Sequence, residues 1–130
     1  ASEQISHTPR MKALVVKVTV GAAEAPERCS QALNVAATAV ASGVDVSLWL
    51  TGEAVWLAVP DSTRDFNLPH AASPEDLIES VLVGGKITVC TQCALRRDLT
   101  ESDLRAGIRI AGVASYLEEV LAPDTQALVY

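Results

Sequence analysis

The chain has 130 residues, a formal net charge of −6 and no basic patch beyond one arginine pair, which argues against a nucleic-acid partner. Hydrophobic residues make up 49% of the sequence but aromatic residues only 4%, so the core must be built from Val, Leu, Ala and Ile. This length predicts one domain. No run approaches the roughly 20 apolar residues that span a bilayer, so no membrane partner is expected.

The first ten residues, ASEQISHTPR, are polar and show no periodicity. We predict that residues 1–10 form a flexible tail ahead of one domain at residues 11–130. The tail contains no apolar stretch of the kind found in a signal peptide. The cysteines number three, and two of them are only three residues apart, which is unlike a disulfide-stapled secreted domain. We therefore expect a cytoplasmic protein.

The first part of the domain shows a strand pattern followed by a helix pattern. The apolar and β-branched run from Ala13 to Val20 predicts a buried strand, which ends at Gly21. Pro26 fits the first position of a helix, which ends before Gly43. Cys29 belongs to the apolar stripe of this helix, so we predict that it is a small buried hydrophobic residue.

A second strand and two further elements follow. The alternation from Val44 to Leu50 predicts the strand, and the apolar segment from Glu53 to Val59 predicts a short buried helix. Trp56 in this helix belongs to the core or forms the wall of a pocket, and we favour the core. The polar, proline-bearing segment 60–73 is the longest predicted loop and a candidate lid or oligomer contact. Ser73 then provides the N-cap of another helix.

The last part of the chain repeats this alternation with shorter elements. Thr100 and Asp103 resemble a capping box, with Asp in place of the usual Glu, and predict a short helix over 101–106. The remaining predicted elements are strands at 86–90 and 108–110, an amphipathic helix after Gly112, and a last strand at 127–130.

Strands and helices thus alternate along the whole domain, in about five βα repeats. With right-handed crossovers this order predicts a three-layer α/β/α sandwich around a mainly parallel five-stranded sheet. The binding crevice of such a fold lies beyond the carboxyl ends of its strands. We expect three strand ends to converge on one site: the Gly21 loop, the Thr51–Gly52 turn and Cys90.

The segment KITVCTQCALRRDLT, residues 86–100, carries the chemistry expected at that site. Cys90 ends the third strand where a helix begins, and the unpaired N–H groups of a first helical turn stabilise a thiolate. Arg96 and Arg97 follow one turn later and add positive charge that favours an anion. With Gly21, they are the predicted substrate- or anion-binding residues.

The spacing of Cys90 and Cys93 leaves four interpretations open. Zinc needs about four ligands, and only Cys29 and His70 could complete the set, so no metal is expected. A thioredoxin-type dithiol has this spacing but belongs after an early strand, with an aromatic residue and a proline nearby. Simple burial suits Cys93 better than Cys90. In the fourth interpretation Cys90 is a nucleophile that accepts a sulfane sulfur, and Cys93 is a resolving thiol.

In these residues the sequence resembles the DsrE/DsrF-like family, which includes the TusD-type sulfur-relay proteins. The similarity covers residues 12–130 and rests chiefly on the run Cys-x-x-x-Ala-Leu-Arg-Arg, residues 90–97. Three further segments support it: Val20–Gly21, LTGEAVWLA at 50–58, and Ala106–Gly107 through Gly112. The sequence departs from TusD-type members at Cys93, where they generally lack a cysteine, and at Asp98, where they carry glycine.

The resemblance implies a cytoplasmic sulfur-relay or sulfurtransferase-like protein in which Cys90 bears the persulfide. It also implies assembly into oligomers, and we expect a homo-oligomer, a trimer or a hexamer, that meets sulfur-donor and sulfur-acceptor proteins. No cofactor is expected. Two other functions stay open. One is a non-catalytic oligomeric module that binds a small ligand in the strand-end pocket, and the other is a CxxC dithiol redox protein.

Overall fold

The central sheet has five strands, and all of them run parallel. They are β1 (Ala13–Val18), β2 (Asp45–Leu50), β3 (Lys86–Cys90), β4 (Arg109–Ala111) and β5 (Thr125–Val129). Their order across the sheet is β4–β3–β2–β1–β5, so β1 lies between β2 and β5. The computed structural model describes residues 12–130, and the tail predicted at residues 1–10 lies outside the described residues.

Four α-helices connect the strands: α1 (Pro26–Ala41), α2 (Pro74–Gly84), α3 (Thr91–Arg96) and α4 (Val113–Val120). The helices and the parallel sheet confirm the predicted α/β fold. Two predicted helices are instead 3-10 helices, at Gly52–Ala58 and Glu101–Asp103. The second is shorter than predicted because the backbone N–H of Arg105 bonds with the carbonyl of Ala58 (2.8 Å), which takes the chain out of the helix.

One face of the sheet is aliphatic in its three central strands and is covered by α1 and α2. Its buried strand residues are Val16, Val18, Val46, Leu48, Leu50, Ile87 and Val89. The helices pack Cys29, Ala32, Leu33, Ala36, Ile78 and Val81 into the same core. This confirms the prediction for Cys29, which has no exposed surface, and burial raises the pKa of its thiol to about 11.

The opposite face of the sheet carries polar side chains and is covered by α4. The carboxylate of Glu119, on α4, accepts three hydrogen bonds from that face: from Ser47 Oγ (2.6 Å), Trp49 Nε1 (2.9 Å) and Arg109 Nη2 (2.6 Å). Burial acts to raise the pKa of Glu119, but the bonds from Ser47 and Trp49 and the charges of Lys86 and Arg109 lower it overall. A partly buried carboxylate therefore attaches α4 to the sheet.

The apolar side of α4 faces away from the sheet. Val113, Leu117 and Leu121 are 73%, 53% and 72% exposed, and we call these three residues the α4 apolar patch. Its outward position follows from the polar contact just described, because the side of the helix that carries Glu119 is the side that meets the strands.

The predicted boundaries of the two long helices are confirmed. Pro26 is the first residue of α1, and Gly43 follows the end of α1 with a φ of 84°, a conformation that favours glycine. Ser73 Oγ accepts a hydrogen bond from the backbone N–H of Asp76 (3.4 Å) and so caps α2, which begins at Pro74. The preceding segment, 59–73, contains neither helix nor strand, as predicted.

Candidate functional site

The connections that leave β3 and β4 pass to opposite faces of the sheet. α3 begins directly after β3 and packs Cys93 and Ala94 into the aliphatic core, whereas α4 follows β4 across Gly112 and covers the polar face. Adjacent parallel strands whose connections diverge in this way leave a crevice at their carboxyl ends. Cys90 ends β3 and pairs in register with Ala111 at the end of β4, so it lies at this crevice.

Cys90 is the N-cap residue of α3, and its side chain is half-buried. This partial burial alone would raise the pKa of its thiol. The backbone N–H and the thiol of Cys93, the backbone N–H of Gln92 and the positive charge of Lys17 outweigh burial, and the pKa is lowered. Cys90 is therefore a thiol whose anion the structure favours.

Cys93 lies one turn into α3 and is 9% exposed. Its Sγ accepts a hydrogen bond from the backbone N–H of Gly52 (3.2 Å), which follows the neighbouring strand β2. Gly52 has a φ of 56°, and a Cβ there would lie 3.0 Å from the carbonyl oxygen of Thr19, so this position requires glycine. The turn after β2 and the cysteines thus converge, as predicted.

The two arginines that follow the cysteines have different surroundings. Arg97 Nε and Nη2 both lie 2.9 Å from Glu53 Oε2, and Arg97 Nη1 donates to the carbonyl of Cys93 (3.1 Å). Arg96 is exposed and makes no hydrogen bond or ion pair with any residue that the structure describes. Their electrostatic role toward Cys90 stays a prediction. The cation whose charge acts on the Cys90 thiol is Lys17.

Gly21 lies at the same edge of the sheet but beside a separate pocket. Its backbone N–H donates to Glu24 Oε1 (2.9 Å), and a Cβ at this position would lie 2.9 Å from Glu53 Cβ. The pocket has a volume of about 250 Å³, and its lining includes Gly21, both glutamates and Trp56 but neither Cys90 nor Cys93. The predicted anion-binding role of Gly21 likewise stays a prediction.

The favoured placement of Trp56 in the core is wrong, and the alternative placement, in a pocket wall, is the one observed. Its side chain is 39% exposed and forms a wall of this pocket, whereas its neighbours Val55 and Leu57 are buried. The segment is a 3-10 helix with three residues per turn, so the side chains that face the core differ from those of an α-helix.

Lys17 is the site residue that the sequence analysis missed. It is the only charged residue in the apolar run from Ala13 to Val20, and an isolated lysine in a buried strand is the signal that could have identified it. Its Nζ lies 4.9 Å from the centroid of the Tyr116 ring on α4. β1 and α4 therefore contribute to the surroundings of the thiol.

All three cysteines are free thiols in the structure. Within residues 12–130, no group of three or more His, Cys, Asp or Glu side chains is placed so that it could hold a metal ion. The helices in that same range are too short or too polar to cross a membrane.

One family model and two curated relatives match most of the chain. Residues 12–125 match the family model of the DsrE/DsrF-like family. The chain is 31% identical over 113 residues to the uncharacterized protein MJ0989 of Methanocaldococcus jannaschii, which covers 84% of this chain and 96% of that protein. It is also 31% identical over 110 residues to the uncharacterized protein MK0008 of Methanopyrus kandleri, covering 82% and 88% of the two chains.

Solved structures share the fold at lower sequence identity. The YchN protein from Escherichia coli superposes with a TM-score of 0.75 at 18% identity, over 92% of this chain and all of YchN (100%). MTH1491 from Methanobacterium thermoautotrophicum, a protein of unknown function, gives a TM-score of 0.62 at 11% identity, over 93% and 100% of the two chains. Because the family model spans most of the chain, this protein belongs to the DsrE/DsrF-like family.

Proposed function

We propose that this protein is a sulfur carrier in which Cys90 holds a sulfane sulfur as a persulfide. The observation that carries the proposal is the setting of Cys90, a half-buried thiol at the start of α3 whose pKa is lowered. A carrier needs a nucleophilic thiolate that a donor and an acceptor can both reach. Membership of the DsrE/DsrF-like family supports the same function.

The loading step needs no external oxidant. The Cys90 thiolate attacks the outer sulfur of a donor persulfide, a new S–S bond forms, and the donor leaves as a thiolate. Attack on the outer sulfur by an acceptor nucleophile then transfers that sulfur and regenerates the Cys90 thiolate. We place this chemistry in the cytoplasm, where thiols are kept reduced, with sulfur-donor and sulfur-acceptor proteins as partners.

Cys93 is suited to a resolving role. It acts to lower the pKa of the Cys90 thiol and lies three residues further along, within the first turn of α3. Attack of the Cys93 thiolate on the inner sulfur of the Cys90 persulfide would release hydrosulfide and leave a Cys90–Cys93 disulfide. This step conserves electrons, because the outer sulfur is reduced to hydrosulfide as the sulfur atoms of Cys90 and Cys93 are oxidised to a disulfide.

Intact-mass measurement tests the carrier function directly. Reduced protein is exposed to a small persulfide donor, and the mass of wild type is compared with that of Cys90→Ser and Cys93→Ser. We expect wild type and Cys93→Ser to gain one sulfur atom and Cys90→Ser to gain none. Cys29→Ser is a matched control, because its thiol is fully buried and it should load like wild type. Equal loading of Cys90→Ser and wild type would contradict the proposal.

A dithiol redox function is the second candidate, favoured by the contact between Cys90 and Cys93 at the start of one helix. Such a protein would lose two hydrogen atoms on mild oxidation, and the disulfide would be absent in Cys93→Ser. A two-hydrogen loss in wild type, together with no sulfur gain in Cys93→Ser, which has no resolving thiol to discharge a persulfide, favours this candidate over the carrier.

A non-catalytic binding module is favoured by the pocket of about 250 Å³ beside Gly21. Its wall, Trp56, and its two glutamates could contact a small ligand without involving either cysteine. Under this function, Trp56→Ala would abolish ligand binding while Cys90→Ser would leave it unchanged. Calorimetric titration with candidate ligands separates this function from sulfur transfer.

The α4 apolar patch supports the proposal of a homo-oligomer. Three apolar side chains exposed by half or more on one helix are costly in water, and contact with a second copy would cover them. We expect a trimer or a hexamer, and Leu117→Glu should lower the mass measured by light scattering toward that of the single chain. A monomeric wild type would contradict this expectation.

A further inference from the structure

Lys17 lies on the same face of the sheet as Cys90. The register pairs Lys17 with Trp49 on β2 and Trp49 with Thr88 on β3, so the three side chains form one row across the polar face. Cys90 is two residues beyond Thr88 on β3, and side chains two residues apart point to the same face. The ammonium group and the thiol therefore border the same space at the carboxyl ends of the strands.

The lysine is held by an aromatic ring. Its Nζ lies 4.9 Å from the centroid of Tyr116, and that ring packs edge-on against Trp49 with centroids 5.3 Å apart at 78°. A cation over an aromatic face is attracted without losing its charge. The nearby carboxylate, that of Glu119, is already occupied by Ser47, Trp49, Arg109 and Lys86. Among residues 12–130, no carboxylate forms an ion pair with Lys17.

The lysine is near enough to the cysteine for its charge to act on the thiol. Neighbouring strands in a sheet lie about 4.8 Å apart, and each residue advances about 3.3 Å along its strand. Cys90 is two strands across the sheet from Lys17 and two residues further along, so their Cα atoms lie roughly 12 Å apart. The flexible lysine stem shortens that distance at the ammonium end. The effect of the Lys17 charge on the Cys90 thiol agrees with this placement.

We propose that Lys17 and Cys90 frame a subsite for a small sulfane-sulfur anion, with Lys17 binding the negative charge while Cys90 attacks the outer sulfur. This deepens the proposed carrier function and rests on it. We take thiosulfate as the representative of these sulfane-sulfur anions. The Cys90 thiolate attacks its outer sulfur, the bond between the two sulfur atoms breaks, and sulfite leaves with the electron pair. The persulfide anion that remains on Cys90 then lies opposite the ammonium group, and Tyr116 acts as a positioning residue.

Charge-selective alkylation tests the subsite independently of sulfur transfer. Iodoacetate is an anion and iodoacetamide is neutral, so only iodoacetate is attracted by a positive charge beside the sulfur. Both reagents react with the Cys90 thiolate, and the ratio of their rates therefore does not depend on the fraction of thiol that is ionised. Lys17→Met should lower the ratio of iodoacetate to iodoacetamide rates about threefold or more, the size expected for losing one unit charge near the reacting sulfur. Peptide mapping by mass spectrometry reports the rates at Cys90 alone.

Matched variants separate charge from packing. Lys17→Arg should keep the ratio of wild type. Lys86→Met removes a lysine on the same face at the other end of β3, where it is paired with Glu119, and should leave the ratio unchanged. Should Lys17→Met fail to fold, Tyr116→Leu gives the second test, because it removes the ring that holds the ammonium group and should lower the ratio. Tyr116→Phe keeps the ring and is its matched control.

Thiosulfate loading completes the experiment. The rate at which wild type gains one sulfur atom from thiosulfate should fall in Lys17→Met by at least the factor by which the alkylation ratio falls, because the loading rate also depends on the fraction of the Cys90 thiol that is ionised. If wild type loads sulfur and both the ratio and the loading rate are unchanged in Lys17→Met, the subsite is overturned while the carrier function stands. If no donor loads wild type but the ratio falls in Lys17→Met, the carrier function is overturned while the anion subsite stands.

Discussion

The backbone N–H of Gly52 donates a hydrogen bond to the sulfur of Cys93 over 3.2 Å. It links the turn after β2 to the helix that begins after β3, and it fixes the buried cysteine of the pair. The backbone N–H and the thiol of Cys93 in turn act to lower the pKa of the Cys90 thiol. Under the proposed function the two cysteines have different roles: Cys90 is the nucleophile, and the buried Cys93 supports its thiolate.

Replacing Cys93 with alanine should make Cys90 less reactive. The variant loses a hydrogen bond that stabilises the thiolate, so the pKa of Cys90 should rise. The loss of one such bond, worth about 1 kcal/mol, corresponds to alkylation by iodoacetamide that is about fivefold slower at neutral pH. Cys93→Ser retains a donor group and should react more nearly like wild type. Equal rates in Cys93→Ala and wild type would show that this contact has no effect on Cys90.

Gly52→Ala should impair both stability and the cysteine site. Its positive φ and the nearby Thr19 carbonyl make a side chain costly, by about 1–3 kcal/mol of the free energy of unfolding. The strain should also displace the N–H group from Cys93 and slow alkylation of Cys90.

Gly43→Ala is the matched control for this substitution. Gly43 also has a positive φ, but nothing lies within 4 Å of a Cβ built there, and it is far along the chain from the cysteines. It should destabilise the fold without changing the reactivity of Cys90. A Gly52→Ala variant that reacts like Gly43→Ala would contradict a role for the Gly52 contact. Chemical denaturation gives the stabilities.

Glu119→Gln should weaken the attachment of α4 in a pH-dependent way. The pKa of Glu119 is lowered in the folded state, so the stability that its charged form contributes is present above 4.5, the ordinary value, and is lost as the pH falls through the folded-state pKa. At neutral pH we expect a loss of about 1–3 kcal/mol. The difference in the free energy of unfolding between the variant and wild type should shrink as the pH is lowered below 4.5. Denaturant titrations across that range measure it, and a difference that stays constant would contradict a role for the carboxylate.

Cys29 should make the protein less stable at alkaline pH. Burial raises the pKa of its thiol from 9.0 to about 11, so between these values the unfolded chain releases a proton that the folded chain retains. The stability of wild type relative to Cys29→Ala should fall by about 1.4 kcal/mol for each pH unit in this interval. A difference that is independent of pH would mean that the thiol is not held in the core.

Much of the fold was predictable because its signals are local. The β-branched run at 13–20, the cap at Ser73 and the glycine at Gly43 each specify a strand or a helix end within a few residues of sequence. The orientation of α4 was not predictable in this way. An amphipathic pattern does not say which side meets the sheet, and here Glu119, whose hydrogen-bond partners lie on β2 and β4, decides it.

The candidate site likewise has features that depend on neighbouring residues and features that depend on distant ones. The placement of Cys90 at the junction of β3 and α3 follows from adjacent residues, and the sequence was sufficient to predict it. The contributions of Lys17 and Gly52 depend on strand order and register, which bring together residues separated by at least 40 positions in the chain (93 − 52 = 41 and 90 − 17 = 73). No local pattern contains that information.

The ionisation of Cys90 is the property on which the proposed chemistry depends most directly. The rate of alkylation by iodoacetamide at Cys90, mapped by mass spectrometry from acidic to alkaline pH, gives the pKa of that thiol. The hydrogen bonds from Cys93 and Gln92 and the charge of Lys17 predict a midpoint below the ordinary thiol value of 9.0, together with faster reaction than at Cys29 throughout. A midpoint at or above 9.0, or no reaction at Cys90 under native conditions, would contradict the proposal.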